Sequence, residues 1–164
     1  MNMAEVTRFR PAFPRTVGMG MSAESQRAAS QIRSIADDDA ATFFKSERAA
    51  RIANDLAALR ENYARPRWDG YDARAISEST IAAAEQFLDS LPFVVPLPDI
   101  APETTGAVSL EWRSQRDSIF IVSVYESGRL VFAGRFGGAK VNGVDFFAEG
   151  IPVGILAAIR RALR

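Results

Sequence analysis

The stretch Val108-Ser109-Leu110-Glu111-Trp112-Arg113, followed by Ile119-Phe120-Ile121-Val122-Ser123-Val124 and, after Ser127-Gly128, by Leu130-Val131-Phe132-Ala133, changes the hydrophobic period of this chain. Val108, Leu110 and Trp112 alternate with polar residues, which is the two-residue period of a strand with one face buried. Ile119 to Val124 is apolar on both faces, as expected of a central strand covered on two sides. Ser127-Gly128 makes a tight turn, so the three segments are predicted to form an antiparallel meander.

Upstream the period is helical. Ala28, Ile32 and Ile35 predict a short helix over about 23–36, which the run Asp37-Asp38-Asp39 ends while supplying an N-cap to the next element. Ala49, Ile52, Leu56, Leu59 and Tyr63 then form one apolar stripe. Arg48, Arg51, Asp55 and Arg60 are read as its solvated face, and Pro66 stops the helix. Ser77 predicts the N-cap of a further helix, with Ile76 and Ile81 at hydrophobic-staple spacing. Its stripe is Ile81, Ala84, Leu88 and Leu91, and Pro92 ends it. Four prolines (92, 96, 98 and 102) predict an extended, largely unpaired connection up to Gly106.

Downstream, Gly134, Gly137 and Gly138 are expected to break the third strand, and Asn142-Gly143 signals a short extra hairpin between Val141 and Val144. Pro152 fits the first position of a last helix with the stripe Ile155, Leu156, Ile159 and Leu163. The fold class is therefore α+β: N-terminal helices, a three- to four-stranded antiparallel meander and a C-terminal helix, the helices packed on one sheet face. Residues 1–45 read as an arm with a short helix, a docking segment, and 46–164 as a single domain.

Composition narrows the chemistry. The 164 residues contain no His and no Cys, which removes imidazole acid–base catalysis, thiolate nucleophiles, disulfides and thiolate zinc sites. Twenty cations balance twenty anions, and only Lys45 and Lys140 of the cations are lysines. No apolar run approaches the roughly 18 residues of a membrane span. No apolar leader segment is seen, so a cytoplasmic location is expected.

Few constellations remain. Trp68-Asp69-Gly70-Tyr71-Asp72 places two aromatics and two carboxylates around a glycine able to take positive φ. It either presents Asp69 and Asp72 to chemistry, with Trp68 and Tyr71 as a stacking surface, or plugs the junction of two helices with the sheet while Asp69 caps a turn. Glu111 could pair with Asp117, or join Asp69 and Asp72 in a carboxylate- or metal-dependent hydrolase or transferase, yet Arg113 and Arg116 lie beside Glu111 and Asp117 and ion pairing explains all four more cheaply. The EF-hand pattern is not met. Gly134 to Lys140 fails as a phosphate loop, because Ala139 precedes the lysine and Val141 follows it. No metal or cofactor site is therefore predicted.

The N-terminal arm interleaves Phe9 and Phe13 with Arg8, Arg10 and Arg15, the residue types that dominate interface hot spots. Single-strand nucleic-acid binders use the same mixture, but zero net charge and the neighbouring acidic helices speak against nucleic acid as the main ligand. The favoured expectation is a non-enzymatic protein-interaction or regulatory module. Its partner-binding residues would be Phe9, Arg10, Phe13, Arg15, Trp68 and Tyr71.

Three pieces carry a resemblance. Trp68-Asp69-Gly70-Tyr71 with Ala73 and Ile76-Ser77, Leu91-Pro92 with Pro98, Ile100 and Pro102, and Gly106 with Leu110, Glu111 and Trp112 together resemble a family of small uncharacterised bacterial proteins. The resemblance covers about 66–135, leaves the first 45 residues uncovered, and brings no activity or catalytic residue with it. It implies a setting beside mobile-element or toxin–antitoxin genes, and so an antitoxin-like or accessory subunit.

Overall fold

A computed structural model describes residues 22–114, 117–148 and 150–164. Among these described residues, three α-helices and five strands follow one another as α1 (Ala23–Tyr63), α2 (Glu78–Asp89), β1 (Asp99–Pro102), β2 (Val108–Arg113), β3 (Ser118–Val124), β4 (Arg129–Phe136), β5 (Ala139–Phe146) and α3 (Val153–Ala162). The fold is α+β as predicted, with five strands where three or four were expected. The chain divides into two compact units, Met1–Ala40 and Ala41–Arg164.

The first helix was expected to end at Asp37-Asp38-Asp39, and it does not. All three aspartates lie inside α1, which is continuous. Between Ala23 and Tyr63 there is neither Gly nor Pro, and an aspartate in a helix costs only about 0.5 kcal/mol in propensity. In the described part of the first unit, Ile32 and Ile35 are both exposed. Within the second unit, Ile52, Leu56 and Leu59 are buried and Tyr63 is half-buried, as the stripe required.

The sheet is a meander whose spatial order β1-β2-β3-β4-β5 is the chain order, each neighbour antiparallel. Val108, Leu110 and Trp112 of β2, Phe120, Val122 and Val124 of β3, and Leu130 and Phe136 of β4 share the buried face. Helices α2 and α3 pack on that face, contributing Ile81, Phe87, Leu88, Ile155 and Ile159 to the core. Ile119 and Ile121 point the other way and are only half-buried; among the described residues, helices α2 and α3 cover β3 on one face.

Two local readings change. The proline-rich connection is not wholly unpaired: Asp99–Pro102 pairs with Pro102↔Val108 to Asp99↔Glu111 as edge strand β1. An edge tolerates proline because one row of its amides faces away from the sheet. Asn142-Gly143 is not a hairpin but the middle of β5, opposite Ala133 and Phe132. A Cβ on Gly143 would stand 2.6 Å from Phe132 Cζ, and one on Gly134 would stand 2.7 Å from Phe120 Cδ2. Both glycines therefore make room for rings. The turn is instead Gly137-Gly138, between the paired Phe136 and Ala139, with Gly137 at φ 62°, the positive first position of a type II′ hairpin.

Ser77 caps α2 as predicted, its Oγ accepting from the Thr80 N–H at 3.1 Å. Pro152 is the N-cap of α3, one residue from its expected place. No helix of the described residues is long and apolar enough to cross a membrane.

Candidate functional site

The Trp-Asp-Gly-Tyr turn is organised by its own polar groups. Asp69 Oδ1 accepts from the N–H of Tyr71 at 2.8 Å and of Ala73 at 3.2 Å. The Arg67 N–H donates to the Ala73 carbonyl at 2.6 Å and the Trp68 indole N–H to the Arg74 carbonyl at 3.0 Å. Trp68 is half-buried and meets Tyr63 edge-to-face, ring centroids 4.8 Å apart. The segment leaving the turn is then tied on both sides, by Arg74 N–H to the Thr104 carbonyl at 2.8 Å and Ile76 N–H to the Tyr63 carbonyl at 2.9 Å. Asp69 thus fastens a turn that joins the end of α1 to the β1–β2 loop. Of the two aromatics proposed to bind a partner, Tyr71 is 78% exposed while Trp68 is committed to packing.

The three candidate carboxylates do not converge. Glu111, on the half-exposed face of β2, accepts from Arg113 Nη2 at 2.7 Å. Asp72 is exposed at the turn. None of the main cavities among the described residues is lined by more than one of these three, and no three acidic groups there come together as a metal site would need. Phe9, Arg10, Phe13 and Arg15 lie outside the described residues, as does Arg116.

A polar cleft of about 350 Å³ lies between the α2 N-terminus and the β3–β4 turn, lined by Arg74, Ser77, Thr80, Thr105, Tyr125 and Arg129 among others. Much of its polarity is already matched internally. The Ser77 and Thr80 hydroxyls are 2.9 Å apart, and the Tyr125 hydroxyl donates to Thr105 Oγ1 at 3.4 Å. The Arg129 guanidinium lies 4.1 Å over the Tyr125 ring.

The other notable concavity was not foreseen. After α2 the chain turns at Leu91-Pro92 and runs as Phe93-Val94-Val95-Pro96-Leu97 past the second-unit part of α1. The run is pinned at two carbonyls: Val95 accepts from Arg48 Nη1 at 2.8 Å, and Pro96 accepts from the Trp112 indole N–H at 3.0 Å. Between this run and α1 lies a groove of about 490 Å³ lined by Phe44, Glu47, Arg48, Arg51, Phe93, Pro96 and Leu97. A neighbouring hollow of about 270 Å³ shares Arg48 and Phe93 and adds Lys45, Ile52, Asp89 and Leu91. The larger of the two is within the size range of a small-ligand pocket.

Arg48 is the unusual group. Read from the sequence as part of a solvated face, it is half-buried, and its Nη2 is shielded from solvent with no hydrogen-bond partner among the described residues. Burial holds the guanidinium below its ordinary pKa, with the Asp89 charge opposing. The sequence does carry a signal for this. Arg48 stands one helical turn before Ile52 and two before Leu56, on the buried stripe rather than opposite it.

Comparison with family models, curated proteins and solved structures returned no match.

Proposed function

We propose that this chain is a non-enzymatic protein-interaction module, an antitoxin-like or accessory subunit working in the cytoplasm. The observation that carries this reading is the pair of aromatics lining the groove yet left in solvent, Phe44 at 53% exposure and Phe93 at 52%, each followed or preceded in the chain by another exposed apolar residue, Phe43 at 60% and Val94 at 82%. Single exposed apolar residues are ordinary, but adjacent aromatics beside a formed groove are what a binding surface offers. The engagement of Asp69 and Glu111 in holding their own neighbourhoods supports it as well, since it leaves the carboxylate-enzyme alternative without a shared site.

The test is affinity capture from the native host with the full chain and with the double variant Phe44→Asp, Phe93→Asp. The reading expects one species held in stoichiometric amount by the wild type and lost from the variant, whose circular dichroism and melting curve stay unchanged. Equal retention by both proteins, or none by either, overturns it. So does turnover of any small substrate that disappears on Asp69→Asn or Glu111→Gln.

A further inference from the structure

We infer that the sheet face turned away from α2 and α3 is a self-complementary interface, on which a second copy of this chain packs face to face. This surface is separate from the groove and uses other residues. Three observations lead there.

The first is an apolar strip that the described helices leave in solvent. The strand register puts Ile119 and Ile121 of β3, Val131 of β4, and Val144 and Phe146 of β5 on one face. The helices pack on the other. Ile119, Ile121 and Val131 are half-buried, while Val144 and Phe146 are each 60% exposed. A strand that is apolar on both sides asks for cover on both, and α2 and α3 cover only one.

The second is the division of charge across that face. Its β4–β5 half holds Arg129, Arg135 and Lys140 with no acid among the described residues, because Asp145 stands opposite buried Leu130 and so belongs to the helix side. Its β1–β2 half holds Asp99, Glu111 and Glu103, the last accepting from the Ser123 hydroxyl, against Arg113 alone. One half is cationic and the other is net acidic. A twofold axis lying along β3 sets the cationic half of each copy over the acidic half of the other. Ile119 and Ile121 then meet their own counterparts. An axis running across the strands would instead set β5 on β5 and cation on cation, so the charge pattern selects the first arrangement. In it Lys140 comes within one residue row of the second copy's Asp99, and Arg135 within one row of its Glu111.

The third is size. With strands about 4.8 Å apart and about 20 Å of paired length, five strands present roughly 500 Å² from each copy. A total of about 1,000 Å² reaches the threshold of a specific, modest association.

Two rival uses of the region fit less well. The free edge of β5 is guarded against strand addition: the Phe146 N–H is taken by Asp145 Oδ1 at 2.8 Å, and Lys140 stands on the same strand. A nucleic-acid backbone laid on the cations would also meet the acids of β1 and β2.

Sedimentation equilibrium of the full chain, over a wide concentration range and at low and high salt, tests the inference. The expected result is a monomer–dimer equilibrium that weakens as salt rises. Arg135→Glu with Lys140→Glu, and separately Asp99→Lys with Glu111→Lys, should each weaken the dimer about tenfold or more. An equimolar mixture of these two variants should restore it as a heterodimer, because both contacts are then of opposite sign. Circular dichroism melts establish that each variant is folded. Should either charge variant fail to fold, Val144→Glu decides, since that side chain is already in solvent: it should weaken the dimer by a similar factor, and an unchanged dimer sinks the proposal. A wild type that stays monomeric, a dimer indifferent to the charge variants, a mixture that does not recover, or species that keep growing with concentration each overturn it. So does a monomer that binds single-stranded DNA through Arg135 and Lys140, which would give the cationic half to nucleic acid. Each of these results leaves the groove reading to its own variants at Phe44 and Phe93.

Discussion

The amide of Phe147 donates to the carbonyl of Gly128 at 2.8 Å, and a Cβ placed on Gly128 would stand 2.5 Å from the carbonyl oxygen of Phe147. The end of β5 is thereby clasped to the turn between β3 and β4. Gly128 is also at φ 76°, where any L side chain is strained. Phe147 continues inward to meet the Phe87 ring of α2, centroids 5.7 Å apart. Gly128→Ala should therefore cost about 2–4 kcal/mol, combining backbone strain with a clash against main chain that cannot swing aside. Urea denaturation followed by circular dichroism measures it; a loss below about 1 kcal/mol would mean the clasp is not rigid.

Gly143 poses a softer version of the same problem, because its neighbour is the far end of a ring. Gly143→Ala should cost about 1–2 kcal/mol while Phe132 is present and distinctly less in a Phe132→Leu background. A double-mutant cycle in denaturant gives the coupling directly. Zero coupling would show that β5 keeps its glycine for some reason other than the ring.

Asp69 offers a cleaner polar test. Asp69→Ala strands two amide donors, those of Tyr71 and Ala73, and should lower stability by about 1–3 kcal/mol. Asp69→Asn keeps a carbonyl oxygen in the same place and should recover at least half of that. Thermal melts of the two variants side by side decide it. Identical losses would mean that the carboxylate's charge, not its acceptor geometry, holds the turn.

These sites show which parts of the architecture were readable from residues alone. The alternation at Val108, Leu110 and Trp112 and the stripe Ile52, Leu56 and Leu59 were legible, because each side chain's direction follows from local periodicity. The Ser77 cap was legible for a similar reason, its partner being three residues away. The misreading at Asp37-Asp38-Asp39 was local, an aspartate run overweighted against a stretch without Gly or Pro; the other failures depended on residues distant in sequence. Asn142-Gly143 reads as a turn until Phe132 is known to lie across it, and Pro102 reads as a breaker until it is known to occupy an edge. Arg48 belongs to the same group. Its place on the apolar stripe, one turn before Ile52, was readable, but the carbonyl it donates to, that of Val95, lies almost fifty positions away.

Because Arg48 is already short of partners, its removal should be gentle. Arg48→Met keeps an apolar stem, loses one hydrogen bond to Val95 and relieves the unmatched Nη2, so unfolding free energy should move by less than about 1 kcal/mol in either direction. Chemical denaturation resolves a shift of that size. A loss of about 3 kcal/mol or more would show that the guanidinium is a structural keystone, with the connector 93–97 dependent on it.

The coincidence of strand order with chain order shapes how the molecule is born. Each strand leaving the ribosome finds its hydrogen-bonding neighbour immediately behind it, so the ladders can close through short loops with little entropy lost to long searches. Ile155 and Ile159, however, lie beyond all five strands in the chain, so they are the last core residues to be made. Until α3 appears, the greasy side of the nascent sheet is incompletely roofed. The vulnerable moment of synthesis falls in that interval, when a chaperone would find most to hold.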